Sequence, residues 1–169
     1  MVPIMPDPSD WHLVSMIETY AEQMLSWEYP APFQRYSMLE AVASDFTDPA
    51  NGYLALVDGP GELVGFRSFG PDGQVPGGTY DDTALDTGGG LRPDLTGRGM
   101  GRTAIQVGID YAWATLDAAR LRVTVWVDNE RALKVIRALG FEAVDRFTAT
   151  TTQEDYLILT LPRPQRSRR

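Results

Sequence analysis

The sequence predicts one domain of the α/β or α+β class, built on a mixed sheet flanked by helices. Three observations carry that expectation. Strand-like apolar segments alternate with segments of helical period, and no unit of sequence repeats. Tyr53-Leu54-Ala55-Leu56-Val57 and Leu63 to Phe69 flank Asp58-Gly59-Pro60-Gly61, the composition of a hairpin turn. Finally, Gly97, Gly99 and Gly101 lead from a strand-like segment into a strongly periodic helix. A chain of 169 residues, 43% hydrophobic and 22% charged, has the size and balance of a soluble globular domain with a full core.

Taken in order, Val2 to Met5 reads as a short first strand. Asp7-Pro8 then places an N-cap before a proline at the first helical position. Trp11, Val14, Ile17, Ala21 and Leu25 recur at helical spacing, predicting a helix to about Trp27 that Pro30-Ala31-Pro32 stops. A second short helix is expected over Ser37 to Phe46, and the hairpin follows. Gly70 to Asp82 is a glycine-rich loop before a strand near Thr83 to Leu91. The helix after the glycines runs from about Gly99 to Leu116, with a narrow stripe of mostly small residues suited to close packing on a sheet. Leu121 to Val127 is a buried strand. Asn129 caps a last helix with an inner stripe of Ala132, Val135, Ile136 and Leu139, stopped by Gly140. Glu142 to Phe147 and Tyr156 to Leu161 form a final antiparallel pair. The domain spans residues 1–162, and the basic segment 163–169 is expected to be a disordered tail.

Composition excludes several classes of function. The chain has no cysteine, and its single histidine, His12, leaves no zinc cluster, so no metal is expected. A net charge of −8 opposes binding to nucleic acid. No apolar run approaches the length of a membrane span, and the cytoplasm is the expected location.

The segment Leu91-Arg92-Pro93-Asp94-Leu95-Thr96-Gly97-Arg98-Gly99-Met100-Gly101-Arg102 is the most informative in the chain. Glycines at a helix N-terminus let a ligand approach the backbone, whose free N–H groups and dipole suit an anion. Arg98 and Arg102 add positive charge. A pyrophosphate is the expected ligand. Gly99-Met100-Gly101-Arg102-Thr103-Ala104 fits the G-x-G-x-x-(G/A) fingerprint of nicotinamide dinucleotide sites, with Asp128 as the ribose-binding acid. That fingerprint needs its first glycine at the strand end, whereas Arg92 to Gly97 intervenes here.

A second reading accounts for more residues. Leu91-x-Pro93 followed by Gly97-Arg98-Gly99-Met100-Gly101 resembles motif A of the GNAT N-acetyltransferase superfamily, with Thr96 at the usual Gln/Arg position. Trp126-Val127-Asp128-Asn129-Glu130-Arg131-Ala132 with Leu139-Gly140-Phe141 resembles its motif B. The resemblance covers roughly Leu63 to Leu161. Trp27-x-Tyr29 with Pro30 and Tyr36, Gly65-Phe66 and Gln74 to Gly78 are similar to one bacterial branch of it. It implies a mostly antiparallel sheet whose central strands splay apart around pantetheine. It also implies direct transfer of an acetyl group from acetyl-CoA to a primary amine in a ternary complex, without a metal. The acceptor is a small molecule or a peptide, and a homodimer is compatible with the family.

The resemblance also assigns residues. Gly97, Arg98, Gly99, Met100, Gly101, Arg102 and Thr103 form the cofactor loop, and Asn129 a further cofactor contact. Leu91 lies on a strand that carries a bulge in the family, where backbone groups bind pantetheine and the thioester carbonyl. Asp86 is the candidate general base for the amine. Trp27, Glu28, Tyr29 and Tyr36 lie where the acceptor is covered, aromatic residues with one acid suiting a cationic amine. Ile136 replaces the tyrosine that usually protonates the leaving thiolate. An acyl-CoA-binding regulatory module without catalysis is therefore the alternative.

Overall fold

The computed structural model describes residues 4–165. Seven strands form one sheet: β1 (His12–Ser15), β2 (Tyr53–Val57), β3 (Leu63–Phe69), β4 (Leu85–Leu91), β5 (Arg120–Trp126), β6 (Glu142–Thr148) and β7 (Asp155–Pro162). Their order is β1-β2-β3-β4-β5-β7-β6. Every neighbouring pair is antiparallel except β4 with β5, which is parallel. The helices are α1 (Glu18–Leu25), α2 (Ala43–Thr47), α3 (Gly101–Thr115) and α4 (Glu130–Ala138). The mixed sheet flanked by helices is as expected. A doubly wound parallel sheet, which the dinucleotide fingerprint requires, is absent from the described residues, and that reading is corrected.

The two faces of the sheet carry separate cores. On one, Ala21, Met24 and Trp27 pack with Phe46, Ala55 and Phe66 under α1 and α2. On the other, α3 and α4 lay Ile109, Ala112, Leu133 and Ile136 against Leu121, Val123, Val125 and Leu159. Trp11, Leu56, Val64, Leu95 and Ala104 make a third cluster beside α3. The last helix follows its signals: Asn129 Oδ1 accepts from Ala132 N at 3.2 Å, and Gly140 takes a φ of 101° just beyond the end. Its inner stripe differs by one residue, with Leu133 buried and Ala132, Val135 and Leu139 only half-buried.

Several sequence expectations are corrected. The predicted helix from Asp7 to Trp27 is three pieces. Asp7 caps a single 3-10 turn over Pro8–Asp10, His12–Ser15 is β1, and only Glu18–Leu25 is α-helical. The reason is packing. Trp11 belongs to the cluster beside α3, whereas Met16, Ala21 and Met24 face the opposite side of the sheet, and one straight helix cannot serve both. His12 pairs with Val57 at the sheet edge, so it lies on a strand. In the expected strand Val2 to Met5, residues 1–3 lie outside the described residues, and Ile4 and Met5 are not in a strand. The second helix is shortened to Ala43–Thr47, preceded by a 3-10 turn over Gln34–Tyr36. Arg163 is anchored rather than loose, donating from N to Ala119 O at 2.9 Å and from Nη2 to Trp113 O at 2.8 Å. Residues 166–169 lie outside the described residues.

Leu121 is fully buried where α3 and α4 meet β5. Leu121→Ala is expected to cost about 3 kcal/mol of stability, read as a lower urea midpoint with an unchanged slope.

Candidate active site

The site is built on a split in the sheet. Strands β4 and β5 pair only through Leu85 with Leu121 and Asp86 with Arg122. Beyond that rung β4 stays with β3 as far as Leu91, and β5 stays with β7 as far as Trp126. A gap therefore opens between the two strands towards their C-terminal ends. In an antiparallel ladder, hydrogen-bonded and non-hydrogen-bonded pairs alternate. Arg92 N donates to Val64 O at 2.8 Å, and Gly70 N to Asp86 O at 2.9 Å. Even-numbered positions of β4 therefore bond to β3, and Thr87, Gly89 and Leu91 turn their N–H and C=O groups to the gap. The register from Phe69–Thr87 to Gly65–Leu91 runs without interruption, so the bulge implied for this strand is absent.

At the mouth of the gap lies the glycine loop. Gly97 and Gly99 have φ of 70° and 79°, values that glycine adopts without strain. A Cβ at Gly99 or Gly101 would meet nothing within 4 Å, so the loop is open on its outer side. Ala104 N is bonded to Met100 O at 3.2 Å, the first helical bond of α3. The N–H groups of Gly101, Arg102 and Thr103 are the unclaimed donors of the first turn. Arg98 and Arg102 are exposed beside them. Met100 packs its side chain into the cluster with Leu95 and Ala104, leaving its backbone to the loop. Arg131, which sequence reasoning missed, lies within contact of Gly97 and stacks over Phe33 with its Cζ 4.3 Å from the ring centroid. Nothing in the sequence pairs residue 131 with residue 97.

The segment after α1 straps across the gap. Tyr29 donates its hydroxyl to Leu91 O at 2.5 Å, and burial pushes its phenol up to about 12, so it stays a neutral donor. Asn129 Nδ2 donates to Tyr36 Oη at 2.9 Å, and burial also raises the Tyr36 phenol. Four expected site residues, Tyr29, Tyr36, Leu91 and Asn129, are thus brought together. Both ends of the Asn129 amide are occupied, one by α4 and one by Tyr36. Arg35 adds a forked ion pair to Glu154 and lies over Trp126 with its Cζ 3.5 Å from the ring centroid. The Arg35 guanidinium holds the Glu154 carboxyl below its ordinary range. Glu28 is exposed next to Tyr29.

Two expected residues sit elsewhere. Trp27 is buried in the core under α1, its ring 6.4 Å from that of Phe66. Asp86 does not have the surroundings of a general base. Arg122 donates to it from Nε at 2.7 Å and from Nη2 at 2.9 Å, and Gln74 Nε2 from 2.9 Å. Both ion-pair partners are about 95% buried, and Arg122 also reaches Asp81. Three donors thus fill most of the acceptor positions of this carboxylate, and its charge is already matched by Arg122, which makes it a poor acceptor for the proton of a substrate amine. Ile136 lies in the core under α4. Among the described residues no cluster could hold a metal ion, and no helix is long and apolar enough to cross a membrane.

Comparison with known proteins agrees with this geometry. The family described as Acetyltransferase (GNAT) family matches residues 17–141. A mycothiol acetyltransferase of Corynebacterium kroppenstedtii is 43% identical over 60 residues, 36% of this chain and 16% of the relative. The N-alpha-acetyltransferase RimI of Mycobacterium tuberculosis is 29% identical over 115 residues, 68% of this chain and 61% of the relative. The chain thus matches only part of the length of either. An acetyltransferase (GNAT family) crystal structure from Bacillus anthracis superposes with a TM-score of 0.70 at 14% identity, over 94% of this chain and 97% of that one.

Asp86→Asn removes half of a buried ion pair and is expected to destabilise the fold by about 3 kcal/mol, measured by denaturant unfolding. At the strap, Glu154 has a lowered pKa, so its pair with Arg35 is formed above the ordinary glutamate range and is lost as pH falls through the lowered value. Acidification should then change the fluorescence of Trp126 in the wild type but not in Glu154→Gln.

Proposed function

Because the chain belongs to the acetyltransferase (GNAT) family, we propose that it moves an acetyl group from acetyl-CoA directly to a primary amine in a ternary complex. The observation that carries this reading is the gap between β4 and β5 with an anion-binding helix terminus at its mouth. The N–H groups at Gly101, Arg102 and Thr103, with Gly97, Arg98 and Gly99, suit the pyrophosphate. The side chains of Arg98, Arg102 and Arg131 supply countercharge. The gap-directed N–H and C=O groups of Gly89 and Leu91 suit the amides of the pantetheine arm, which lies as an extra strand would. An N–H facing the thioester carbonyl also stabilises the oxyanion of the tetrahedral intermediate.

The Leu91 carbonyl is shared with Tyr29, so cofactor binding and the strap act on one atom. The acceptor enters on the side of Glu28 and Tyr36, a small amine or a peptide terminus. Its proton passes to water or to Glu28, since Asp86 is tied to Arg122. Trp27 supports this side as core. A location in the cytoplasm and a homodimer are consistent with this activity.

A second reading, an acyl-CoA-binding regulatory module, is favoured by Ile136 in the core and by Asp86 in its ion pair. A panel of amines separates the two. Transfer that rises with pH as the acceptor loses its proton marks the enzyme, while tight binding with no product from any amine marks the module.

Acetyl-CoA is expected to raise the melting temperature by linkage, and NAD is not. Gly101 has an ordinary φ and an open side, so Gly101→Val should keep the melting temperature of the free protein and lose at least tenfold in acetyl-CoA affinity by calorimetry. Unchanged affinity would remove the loop from the site.

A further inference from the structure

Among the described residues, Arg67 is the one buried cation outside these arrangements. It lies on β3 opposite Gly89, on the sheet face covered by α3 and α4, and is 94% buried. Its Nε has no hydrogen-bond partner, and no ion pair among the described residues involves it. Thr87 Oγ1, on the same face of the neighbouring strand, is also buried without a partner. An isolated charge in such surroundings is expensive unless something else receives it.

Two glycines make the room. A Cβ at Gly89 would come within 2.5 Å of Arg67 Nη1, and one at Gly108 on α3 within 2.9 Å of Nε. The side chain therefore lies across β4, sandwiched between strand and helix, with its tip over the residue whose backbone faces the gap. No acid acts on it: burial alone shifts the guanidinium. Helix α3 lays Gly108 against it and β4 lays Gly89 against it, with Thr87 two residues along the same face of β4. Tyr111 adds a phenol, its ring packed 5.5 Å from that of Phe69.

The gap has one mouth and one closed end. Phosphates held at Gly97 to Thr103 put the far end of any attached arm deeper along β4, towards Gly89 and Thr87, where the strands close at Asp86. In acetyl-CoA that far end is the sulfur. We propose that Arg67 receives the sulfur end of acyl-CoA and stabilises the thiolate that leaves, a role that rests on the acetyl-CoA reading above. The amine nitrogen bonds to the thioester carbon, the C–S bond breaks, and its electron pair goes to sulfur. The amine proton passes to water, and the thiolate is held beside the guanidinium until it too takes a proton from water. Arg67 keeps its own proton throughout. Burial brings it down to about 10, still above an ordinary thiol near 8.5, so guanidinium with thiolate is the stable pair. This accounts for an aliphatic residue at position 136.

The test uses CoA itself, with the thiolate followed by its ultraviolet absorbance as pH is raised, bound and free. Bound to the wild type, the thiol should ionise at lower pH, giving about tenfold more thiolate at a pH below its free midpoint. Arg67→Met should abolish that gain. It should also raise the melting temperature of the free protein, because an unpaired buried charge is replaced by an apolar chain of similar length. A bound thiol that titrates like the free one overturns the proposal. So does a lowering that persists in Arg67→Met, or a variant that is less stable than the wild type or unfolded. Failure of the wild type to bind CoA at all would instead remove the acetyl-CoA reading.

Discussion

Asp86 and Arg122 form the rung on which the sheet divides. They are the last paired residues of β4 and β5, and their side chains meet in a buried two-pronged ion pair. Burying two charges is costly, and the geometry has to offset it. Here all three guanidinium nitrogens of Arg122 donate, to Asp86 and to the carboxylate and backbone carbonyl of Asp81, and Gln74 donates in turn to Asp86. Tyr80 lies beside the guanidinium, its ring centroid 5.0 Å away, and its hydroxyl is 2.8 Å from Thr124 Oγ1. The rung locks the closed end of the gap. Beyond it, β4 runs as Thr-Gly-Gly-Gly, with almost no side chain to pack across to β5, while β5 commits its edge to β7. The two halves of the sheet diverge because one side is held and the other has nothing to hold.

The same constraint gives the strap its work. Once the strands part, the open end exposes backbone groups of β4 and the start of α4. Tyr29 takes the carbonyl of Leu91, Tyr36 meets Asn129, and Arg35 bonds to Glu154 above Trp126. These contacts join the N-terminal half of the chain to the C-terminal half across the gap. Exposed ion pairs stabilise little by themselves. The stacking of Arg35 on an aromatic ring and the two hydrogen-bonded phenols give the strap its definition.

On the opposite face the logic reverses. There the chain buries apolar residues from α3 and α4 and lays the unpaired guanidinium of Arg67 between Gly108 and Gly89. A structure selected for stability alone would have an apolar residue at that point, and strain of this kind concentrates where function needs it. In the proposed transfer, the face carrying Asp86 receives the amine, while Asp86 itself stays tied to Arg122. The face carrying Arg67 receives the leaving group. The division of labour between the faces follows from the alternation of side chains along β4.

The sequence by itself determined the elements whose signals are local. The Asp58 to Gly61 turn, the cap at Asn129, the stop at Gly140 and the open glycine run into α3 are each specified within a few residues, because capping and positive φ depend on immediate neighbours. The family resemblance was legible for the same reason, its motifs being those local segments. Only the tertiary structure decided what depends on distant partners. Periodicity alone suggested one helix before Trp27, but burial on opposite faces divides it, and the free edge of β2 draws His12–Ser15 into the sheet. Asp86 has the composition of a base and becomes half of an ion pair with a residue 36 positions away. Arg67 carried no signal at all. A buried charge is defined by what surrounds it in space, and those surroundings come from β4 and α3, which the chain brings together only on folding.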